Sequence, residues 1–359
     1  MSDGRGGLEH YAAELVPALR EHGHRLLVVS RAGSEFEKRT GQTPALTLHH
    51  HRYLRWIGAR QLGELARKAD IIHIHRSQDL ALAVLAKRHA GNRPALVYTR
   101  HMLIRHDRHG SPAHRFMFKH VDRLLTITDQ ISRQARNCLP IDPARTRALP
   151  LGVSPAPPMA DCETTRPPDA DFVVGCFSRI EPKKGQHELI EAIARLRDQG
   201  VAAGGMIAGP VMDSHYDHVL KRQIADRGLG GSVRFLGTLR HTQPAMSCCD
   251  VVVMPSTGEA LGLVLIEAML MGVPVIGSAS GGVLEFIADG ESGLTYPVGD
   301  VDALTQRLQR LADDREFARS LGRAGRQSAS EKFNRERHLE SLETVFREVA
   351  GNTVPVSTD

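Results

Sequence analysis

The sequence predicts an α/β protein with two doubly wound domains, each built on a parallel sheet that is covered by helices. Three observations support this fold class. Short apolar runs alternate with longer segments of helical period, as in the strand 250–254, the helix that starts near 261 and the strand 273–276. The chain of 359 residues is too long for one ordinary core. A stretch with five prolines, residues 154–168, is a predicted linker between two halves that show the same alternation.

The first domain is predicted to span residues 1–153. Helices are expected at 8–22, 80–90 and 129–137, strands at 26–30, 70–75, 95–100 and 124–128, and a mixture of loop and helix at 32–68. A doubly wound sheet places a central strand before its first loop, but only Met1, Ser2 and Asp3 precede the glycine-rich loop 4–7. We therefore expect the natural protein to begin upstream, with roughly ten more residues that form this strand.

The second domain is predicted to span residues 169–330. Strands are expected at 172–177, 203–208 and 233–236, and helices at 187–199, 216–226 and 243–249, before the central unit 254–277. Asp300 is predicted to cap a helix, and Gly281 and Gly282 to turn into a helix that contains Glu285. The last predicted helix, 331–350, has apolar residues at helical spacing: Phe333, Leu339, Leu342, Val345, Phe346 and Val349.

Two glutamates flank the start of the helix in the central unit. Glu259 lies in the preceding loop, Glu267 lies within the helix, and Gly262 lies between them. Free amides and the helix dipole make such a helix start an anion site, and phosphate is the expected ligand. Because most of the residues around Glu267 are apolar, its carboxylate needs a partner, whereas Glu259 by itself would be an ordinary loop carboxylate.

The Glu-x7-Glu spacing of Glu259 and Glu267 resembles that of retaining glycosyltransferases with the GT-B fold, of the family 4 type. Arg179-x4-Lys184 and the Gly-Gly-x-x-Glu segment 281–285 match that family as well, which usually has Phe where this chain has Leu261. The resemblance implies two Rossmann-like domains that face a cleft. It also implies a final helix that crosses back onto the first domain.

The resemblance further implies roles for individual residues around a nucleotide-sugar donor. Glu259 would contact the sugar hydroxyls and Glu267 the ribose hydroxyls, while Arg179 and Lys184 would neutralise the departing diphosphate and so take part in catalysis. His101, at the end of the strand 95–100, would lie near the donor sugar. The other implied donor contacts are Gly6, Gly7, Gly237, Thr238, Leu239, Leu261, Gly262 and Leu263. The alternative is that these are surface cations, turn glycines and a loop histidine.

Other polar segments allow two interpretations each. His73 and His75 lie either near an interdomain cleft or in the core, and core packing is preferred. His49–His51 have no spacing typical of a metal site and are interpreted as surface or acceptor-side residues. The cationic segment 105–120 is either an acceptor entrance or membrane-facing surface, or an ordinary solvated helix face.

Composition excludes several classes of protein. A net charge of +5 and a pI of about 9.1 favour anionic partners, but the cations are not clustered as in a nucleic-acid binder. The five cysteines lack Cys-x-x-Cys spacing, so no disulfide or zinc site is predicted. Two Asp-x-Asp segments, 169–171 and 300–302, are assigned to the linker region and to a helix cap rather than to a metal. No cofactor, signal peptide or membrane span is expected, which indicates a cytoplasmic protein with at most peripheral membrane contact.

The family resemblance therefore implies a retaining glycosyltransferase that moves a hexose from a nucleotide sugar to a glycan or lipid-linked acceptor, as in cell-surface polysaccharide or lipopolysaccharide synthesis. Two alternatives stay open at this point. One is another GT-B enzyme, such as a nucleotide-sugar epimerase or a phosphorylase, which would need no separate acceptor. The other is a degenerate scaffold that binds a donor without turnover.

Overall fold

The protein was analysed as a computed structural model that describes residues 7–31, 46–48, 54–104, 111–154, 162 and 165–351. The chain divides into two compact units. Unit 1 contains Met1–Gly152 and Arg335–Asp359, and unit 2 contains Val153–Asn334. Several predictions lie outside the described residues: Gly6, His49–His51, residues 105–110 of the cationic segment 105–120, and most of the proline-rich segment.

The helices and strands alternate along the chain. Up to the proline-rich segment they are α1 (Gly7–Glu21), β1 (Val29–Arg31), β2 (Leu46–Leu48), α2 (Leu54–Ala66), β3 (Ile71–Ile74), α3 (Leu80–His89), β4 (Ala95–Arg100), α4 (Pro112–Lys119), β5 (Arg123–Thr126), α5 (Asp129–Cys138) and β6 (Thr146–Ala148). After it they are β7 (Phe172–Phe177), α6 (Gln186–Asp198), β8 (Ala203–Ala208), α7 (Ser214–Asp226), β9 (Val233–Gly237), α8 (Gln243–Ser247), β10 (Val251–Met254), α9 (Leu263–Leu270), β11 (Val275–Ser278), β12 (Leu294–Tyr296), α10 (Val301–Asp313), α11 (Arg315–Lys332) and α12 (Arg335–Gly351).

Unit 1 contains two parallel sheets among its described residues. One has the order β3-β4-β5-β6, and the other is the pair β1-β2. In the part of the chain that the structure describes, no strand hydrogen bonds to both β1 and β3. The expected upstream strand stays a prediction.

Unit 2 is built on one six-stranded parallel sheet with the order β12-β11-β10-β7-β8-β9. Its four central strands, β7, β8, β10 and β11, are buried on both faces, which explains why they form unbroken apolar runs rather than alternating patterns. Leu189, Ile193 and Leu196 of α6 pack with Leu304 and Leu308 of α10 in the same core cluster. The predicted α/β class is confirmed.

Several predicted boundaries are wrong. α9 begins at Leu263 rather than near Leu261, because Gly262 has a left-handed φ of +86° that ends the loop. Residues 281–285 form only a short 3-10 turn. The predicted strand 26–30 is three residues long and begins at Val29. Asp300 caps α10 as predicted, since its Oδ1 accepts a hydrogen bond of 2.9 Å from the Ala303 amide.

The predicted helix 331–350 is split between two helices. α11, which was not predicted, ends at Lys332, and α12 begins at Arg335. Phe333 lies between them and packs edge-on against Phe286, with ring centroids 5.7 Å apart. Its apolar side chain therefore belongs to the core of unit 2, while the later apolar positions of the pattern belong to α12 in unit 1.

A disulfide bond joins Cys162 to Cys248, whose Cα atoms are 5.2 Å apart. The prediction that the chain has no disulfide is wrong. The 86-residue separation carries no recognisable spacing, and the pairing depends on how the segment before β7 folds back. Arg166 holds that segment in place, because its guanidinium donates to the Cys248 carbonyl at 3.1 Å and to Asp250 at 2.9 Å.

Candidate functional site

The strand order of unit 2 brings two loops together. The chain runs outward from β7 to β8 and β9, then returns to β10 on the other side of β7. The loops that follow β7 and β10 therefore start side by side and turn in opposite directions, which is where open α/β sheets bind ligands. Arg179 and Lys184 lie after β7, and Glu259 lies after β10.

Lys184 and Glu259 form an ion pair across these two loops. Their side chains are 15% and 19% exposed, so the pair is mostly but not completely shielded from water. Gly185 makes the approach possible, since a Cβ atom there would lie 2.1 Å from the Pro255 carbonyl oxygen. Gly185 also has a φ of +68°, a conformation that favours glycine.

The main chain of Glu259 is held from the other side by the Gly-Gly pair at 281 and 282. The Gly282 amide donates to the Glu259 carbonyl at 3.0 Å. A Cβ atom at Gly281 would lie 1.9 Å from that same oxygen. The Gly-Gly-x-x-Glu pattern therefore has a local purpose: it lets the chain after β11 pack directly on the loop that presents Glu259.

The start of α9 lies four residues after Glu259. Gly262 is its N-cap, and a Cβ atom at this position would lie 2.7 Å from the Met254 methyl group. Leu261 is buried and Leu263 partly buried. The Leu265 amide donates to the Gly262 carbonyl at 3.0 Å. The first two amides of an α-helix, here those of Leu263 and Val264, have no acceptor within the helix, so this end of α9 can bind an anion beside the Lys184–Glu259 pair.

Glu267 lies farther along α9 and is partly buried. The Thr242 hydroxyl, just before α8, donates a long hydrogen bond of 3.4 Å to its Oε2 atom. A partner for Glu267 was predicted from the apolar helix, but the sequence did not indicate that Thr242 supplies one.

Arg179 is placed by two neighbours. Its guanidinium binds Glu181 at 2.9 Å, and its carbonyl accepts a hydrogen bond of 2.8 Å from Gln186 Nε2. Gln186 is fully buried, and its amide also donates to the Ser178 hydroxyl at 3.0 Å. Gln186 therefore fixes the loop backbone between β7 and α6, a role that a lone glutamine in the sequence did not suggest.

The remaining predicted donor contacts of unit 2 follow β9. Gly237 has a φ of +65°, and its carbonyl accepts a hydrogen bond of 2.8 Å from the Gly209 amide. Gly237 and Thr238 are exposed and Leu239 is partly exposed. Their backbone is therefore accessible, as base recognition through backbone atoms would require.

The predicted residues of unit 1 have different surroundings. Gly7 is the first residue of α1. His101 directly follows β4, but its ring is buried, and the residue is only 6% exposed. Its Nε2 atom lies 3.2 Å from Nδ1 of His75, which follows β3. His73 lies two residues earlier on the same face, 4.2 Å from the His75 ring, and its Nε2 is 2.8 Å from the Thr99 hydroxyl.

Tyr11 of α1 and His338 of α12 cover these histidines. The Tyr11 ring lies 5.4 Å from His101, 5.8 Å from His75 and 5.6 Å from His338. His338 Nδ1 lies 2.7 Å from the Pro150 carbonyl oxygen, which can only accept, so this nitrogen carries the proton. Nε2 of a neutral His338 is then an acceptor, and the Tyr11 hydroxyl donates to it at 2.7 Å.

Burial keeps this histidine cluster, His73, His75, His101 and His338, uncharged. Loss of solvation lowers the pKa of His75 and of His338 to about 4 and holds the pKa of His73 and His101 well below the ordinary value. It also raises the pKa of Tyr11. The cluster is therefore a set of neutral hydrogen-bonding rings at pH 7.

No group of three or more His, Cys, Asp or Glu side chains is arranged for a metal ion among the residues that the structure describes. Asp169 instead binds Arg197 at 3.1 Å and the Ser232 hydroxyl at 2.8 Å. Within the described ranges, no helix is both long enough and apolar enough to cross a membrane.

Two family models match this chain and together cover most of it. "Glycosyl transferases group 1" matches residues 162–328, and "Glycosyltransferase Family 4" matches residues 5–156. The chain belongs to the group 1 glycosyltransferases of the GT-B fold. This confirms the resemblance that the glutamate spacing indicated.

Known members of this glycosyltransferase family are similar to the chain mainly over part of their length. The lipopolysaccharide core biosynthesis glycosyltransferase LpsE of Rhizobium meliloti is 34% identical over 170 residues, which are 47% of this chain and 48% of LpsE. The GDP-mannose-dependent alpha-(1-6)-phosphatidylinositol monomannoside mannosyltransferase of Mycolicibacterium smegmatis is 36% identical over 174 residues, 45% of this chain and 44% of that protein. The chain thus spans about half the length of these curated relatives.

A solved structure is similar over nearly the whole chain. The crystal structure of Alr3699/HepE of Anabaena in complex with UDP superposes with a TM-score of 0.84 and 23% identity, covering 97% of this chain and 98% of HepE. HepE has also been solved with UDP-glucose. At this identity the similarity establishes the GT-B fold of this glycosyltransferase.

Proposed function

We propose that this glycosyltransferase is a retaining enzyme that moves a hexose from a nucleotide sugar to a glycan or a lipid-linked acceptor. The observation that carries the proposal is the Lys184–Glu259 ion pair at the point where the strand order of unit 2 reverses. The pair lies beside a helix start that can take a diphosphate, so a cation and a sugar-binding carboxylate flank one anion site.

Arg179 and Lys184 would act on the leaving group. As the bond between the sugar carbon and the phosphate oxygen breaks, negative charge grows on the diphosphate. Fixed cations at that charge lower the barrier, because they need no reorganisation during the reaction. Glu259 would accept hydrogen bonds from the sugar hydroxyls, and Glu267 from the ribose hydroxyls.

The stereochemistry would follow from attack on the same face of the sugar. The acceptor oxygen forms its bond to the sugar carbon on the side that the diphosphate leaves, and the departing phosphate oxygen takes the acceptor proton. No nucleophilic side chain of the protein is needed in this scheme. His101 would contact the donor sugar through the ring nitrogen that does not face His75.

Two nucleotides are candidates for the donor base, and a binding experiment distinguishes them. HepE was crystallised with UDP, whereas the mycobacterial relative is named for GDP-mannose. A thermal-shift panel of UDP-glucose, UDP-N-acetylglucosamine and GDP-mannose tests the proposal, since the correct donor stabilises the fold by mass action. We expect one donor to raise the Tm, and the Lys184→Ala variant to lose that shift. If no nucleotide sugar raises the Tm, the proposal is overturned.

Turnover separates the alternatives. Incubation with the selected nucleotide sugar alone would yield an epimer if the protein were an epimerase, and a stable complex without turnover would indicate a scaffold. Release of nucleoside diphosphate on addition of a bacterial lipid or glycan extract would support transfer. The anomeric configuration of the product, measured by NMR, tests retention.

A lipid-linked acceptor would bring the enzyme to a membrane surface, and α4 has a suitable face. Arg115, Phe116 and Lys119 are exposed on this helix, and Phe116 is 43% exposed. Basic residues beside an exposed aromatic ring favour binding to anionic lipid. We expect sedimentation with vesicles of phosphatidylglycerol but not with phosphatidylcholine alone, and loss of sedimentation in the Arg115→Glu/Lys119→Glu variant.

A further inference from the structure

The histidine cluster of unit 1 replaces what is ordinarily an apolar layer between a sheet and its covering helices. His73 lies in β3, and His75 and His101 directly follow β3 and β4. Tyr11 and His338 cover these rings. Burying several imidazoles costs solvation free energy unless each ring has partners. The ring contacts supply these partners. The Thr99 hydroxyl binds His73, the His73 ring packs against His75, and His75 is hydrogen bonded to His101.

We propose that His75 is a positioning residue for His101: it fixes the orientation and the tautomer of the His101 ring during glycosyl transfer. This inference rests on the proposed function, in which His101 contacts the donor sugar. The hydrogen bond that carries it joins Nδ1 of His75 to Nε2 of His101 at 3.2 Å.

The hydrogen bond determines which nitrogen of His101 is left for a substrate. The two neutral rings share one proton across this contact, so the tautomer of His75 sets the tautomer of His101. Nε2 of His101 is occupied by His75, and among the described residues its Nδ1 atom has no hydrogen-bond partner. His101 therefore offers one nitrogen with a defined role, as donor or as acceptor, and no charge.

His75 is itself held on two sides. The His73 ring packs against it in a tilted arrangement, with ring centroids 4.2 Å apart, and His73 is hydrogen bonded to the Thr99 hydroxyl. Tyr11 packs its edge against His75 and is locked in turn by its hydrogen bond to His338. The His75 ring cannot turn without disturbing these contacts, so it is a rigid support for His101.

The chemistry of this contact allows a matched set of variants. The side-chain amide of asparagine places a donor or acceptor where Nδ1 of histidine lies, whereas that of glutamine reaches the Nε2 position. His75→Asn therefore keeps the hydrogen bond to His101, while His75→Gln and His75→Leu lose it. All three remove the imidazole, so a difference between Asn and Gln reports the hydrogen bond rather than the ring.

The experiment measures kcat/KM for whichever of UDP-glucose, UDP-N-acetylglucosamine and GDP-mannose the wild type turns over fastest. We expect His75→Gln and His75→Leu to lose about tenfold, the loss expected for one hydrogen bond, and His75→Asn to stay within about threefold of the wild type. The Kd for the matching nucleoside diphosphate should not change in any variant, since none of them alters Arg179, Lys184 or the start of α9.

A double-mutant cycle with His101→Ala excludes a purely structural role. If His75 acts through His101, His75→Leu adds no further loss in the His101→Ala background. Additive losses, or equal losses in the Asn and Gln variants, would overturn the inference. Because His75→Leu could fail to fold, the decision rests on the Asn and Gln pair, whose Tm values are compared with the wild type.

The outcomes distinguish this inference from the proposed function. A wild type that turns over none of the donors overturns both. If the wild type is active and His101→Ala keeps full activity, the role of His101 and this inference are wrong, but the glycosyltransferase assignment stands. If His101→Ala is impaired and His75→Gln is not, only the positioning role of His75 is wrong.

Discussion

Two regions of this glycosyltransferase lie at the carboxyl ends of parallel strands, but one holds charged side chains and the other holds neutral ones. In unit 2 the loops after β7 and β10 hold a charged pair, Lys184 and Glu259, each with less than a fifth of its side chain exposed. In unit 1 the chain after β3 and β4 holds the partly buried His75 and the buried His101, which are both neutral. The first region is suited to a charge that develops in the reaction, and the second to fixed neutral hydrogen bonds.

The way in which each region is held also differs. Backbone packing positions Glu259, because glycines at 185, 281 and 282 let neighbouring loops approach within reach of its main chain. Side chains position His101, through a set of ring contacts that ends at Tyr11 and His338. We therefore expect added side-chain volume at these glycines to disturb Glu259, and protonation of the histidine rings to disturb His101. The predictions below test this distinction.

The largest effect is expected from removal of the cation in unit 2. Lys184→Ala should lower kcat/KM by about 100-fold to 1,000-fold, because the leaving diphosphate would lose a preorganised positive charge. Release of nucleoside diphosphate measures this loss. Lys183→Ala is the matched control, since this neighbouring lysine is exposed, and it should remain active. Equal activity in the two variants would contradict the assignment of Lys184.

Acidification should destabilise unit 1. The pKa of His75 and of His338 is about 4 in the folded protein and near 6.5 in an unfolded chain, so the unfolded state binds more protons between these values. The stability is fully present above pH 6.5 and is lost as the pH falls toward 4. At pH 5 the loss should be about 2 kcal/mol for each histidine.

Urea unfolding from pH 7.5 to 5, with amide hydrogen exchange of β3 and α12, measures this loss separately for unit 1. His338→Gln should reduce the pH dependence, whereas His218→Gln, at an exposed position on α7, should leave it unchanged. Stability of unit 1 that does not vary across this range would show that the cluster is not held neutral.

Added volume at Gly281 should damage the backbone support of Glu259. The Cβ atom of Gly281→Ala would lie 1.9 Å from the Glu259 carbonyl oxygen, and the φ of +61° is unfavourable for alanine. We expect a loss of about 2 to 4 kcal/mol in unfolding free energy together with weaker donor binding. Gly290→Ala separates the two causes, since it has a φ of +81° with no atom within 4 Å, and should cost about 1 kcal/mol.

The smallest effect is expected at Thr242. Thr242→Val keeps the shape of the side chain but removes the donor to Glu267, so the Kd for UDP or GDP should rise by about threefold, because this 3.4 Å hydrogen bond is long. Thr242→Ser keeps the hydroxyl and should bind as the wild type does. Isothermal titration calorimetry distinguishes them, and identical Kd values would mean that Thr242 does not support Glu267.

Much of unit 2 was predictable because its signals are local. The strands 172–177 and 203–208 were placed correctly from unbroken apolar runs, and the Asp300 cap from one aspartate before a helix. The spacing of Glu259 and Glu267 indicated the family. Residues such as Thr242 and Gln186 carry no such pattern, because their importance comes from the distant atom that each one binds.

The sequence by itself determined the α/β class, the family and the residue types at the proposed donor site, because periodicity and short spacings act within a few residues of one another. Tertiary structure alone decided that Cys162 pairs with Cys248, that Phe333 leaves the last helix, and that Tyr11 binds a histidine 327 residues away. These contacts depend on which segments the sheets and the last helix bring together. The free energy of these long-range contacts is gained only after the intervening chain has folded, so no short sequence pattern indicates them.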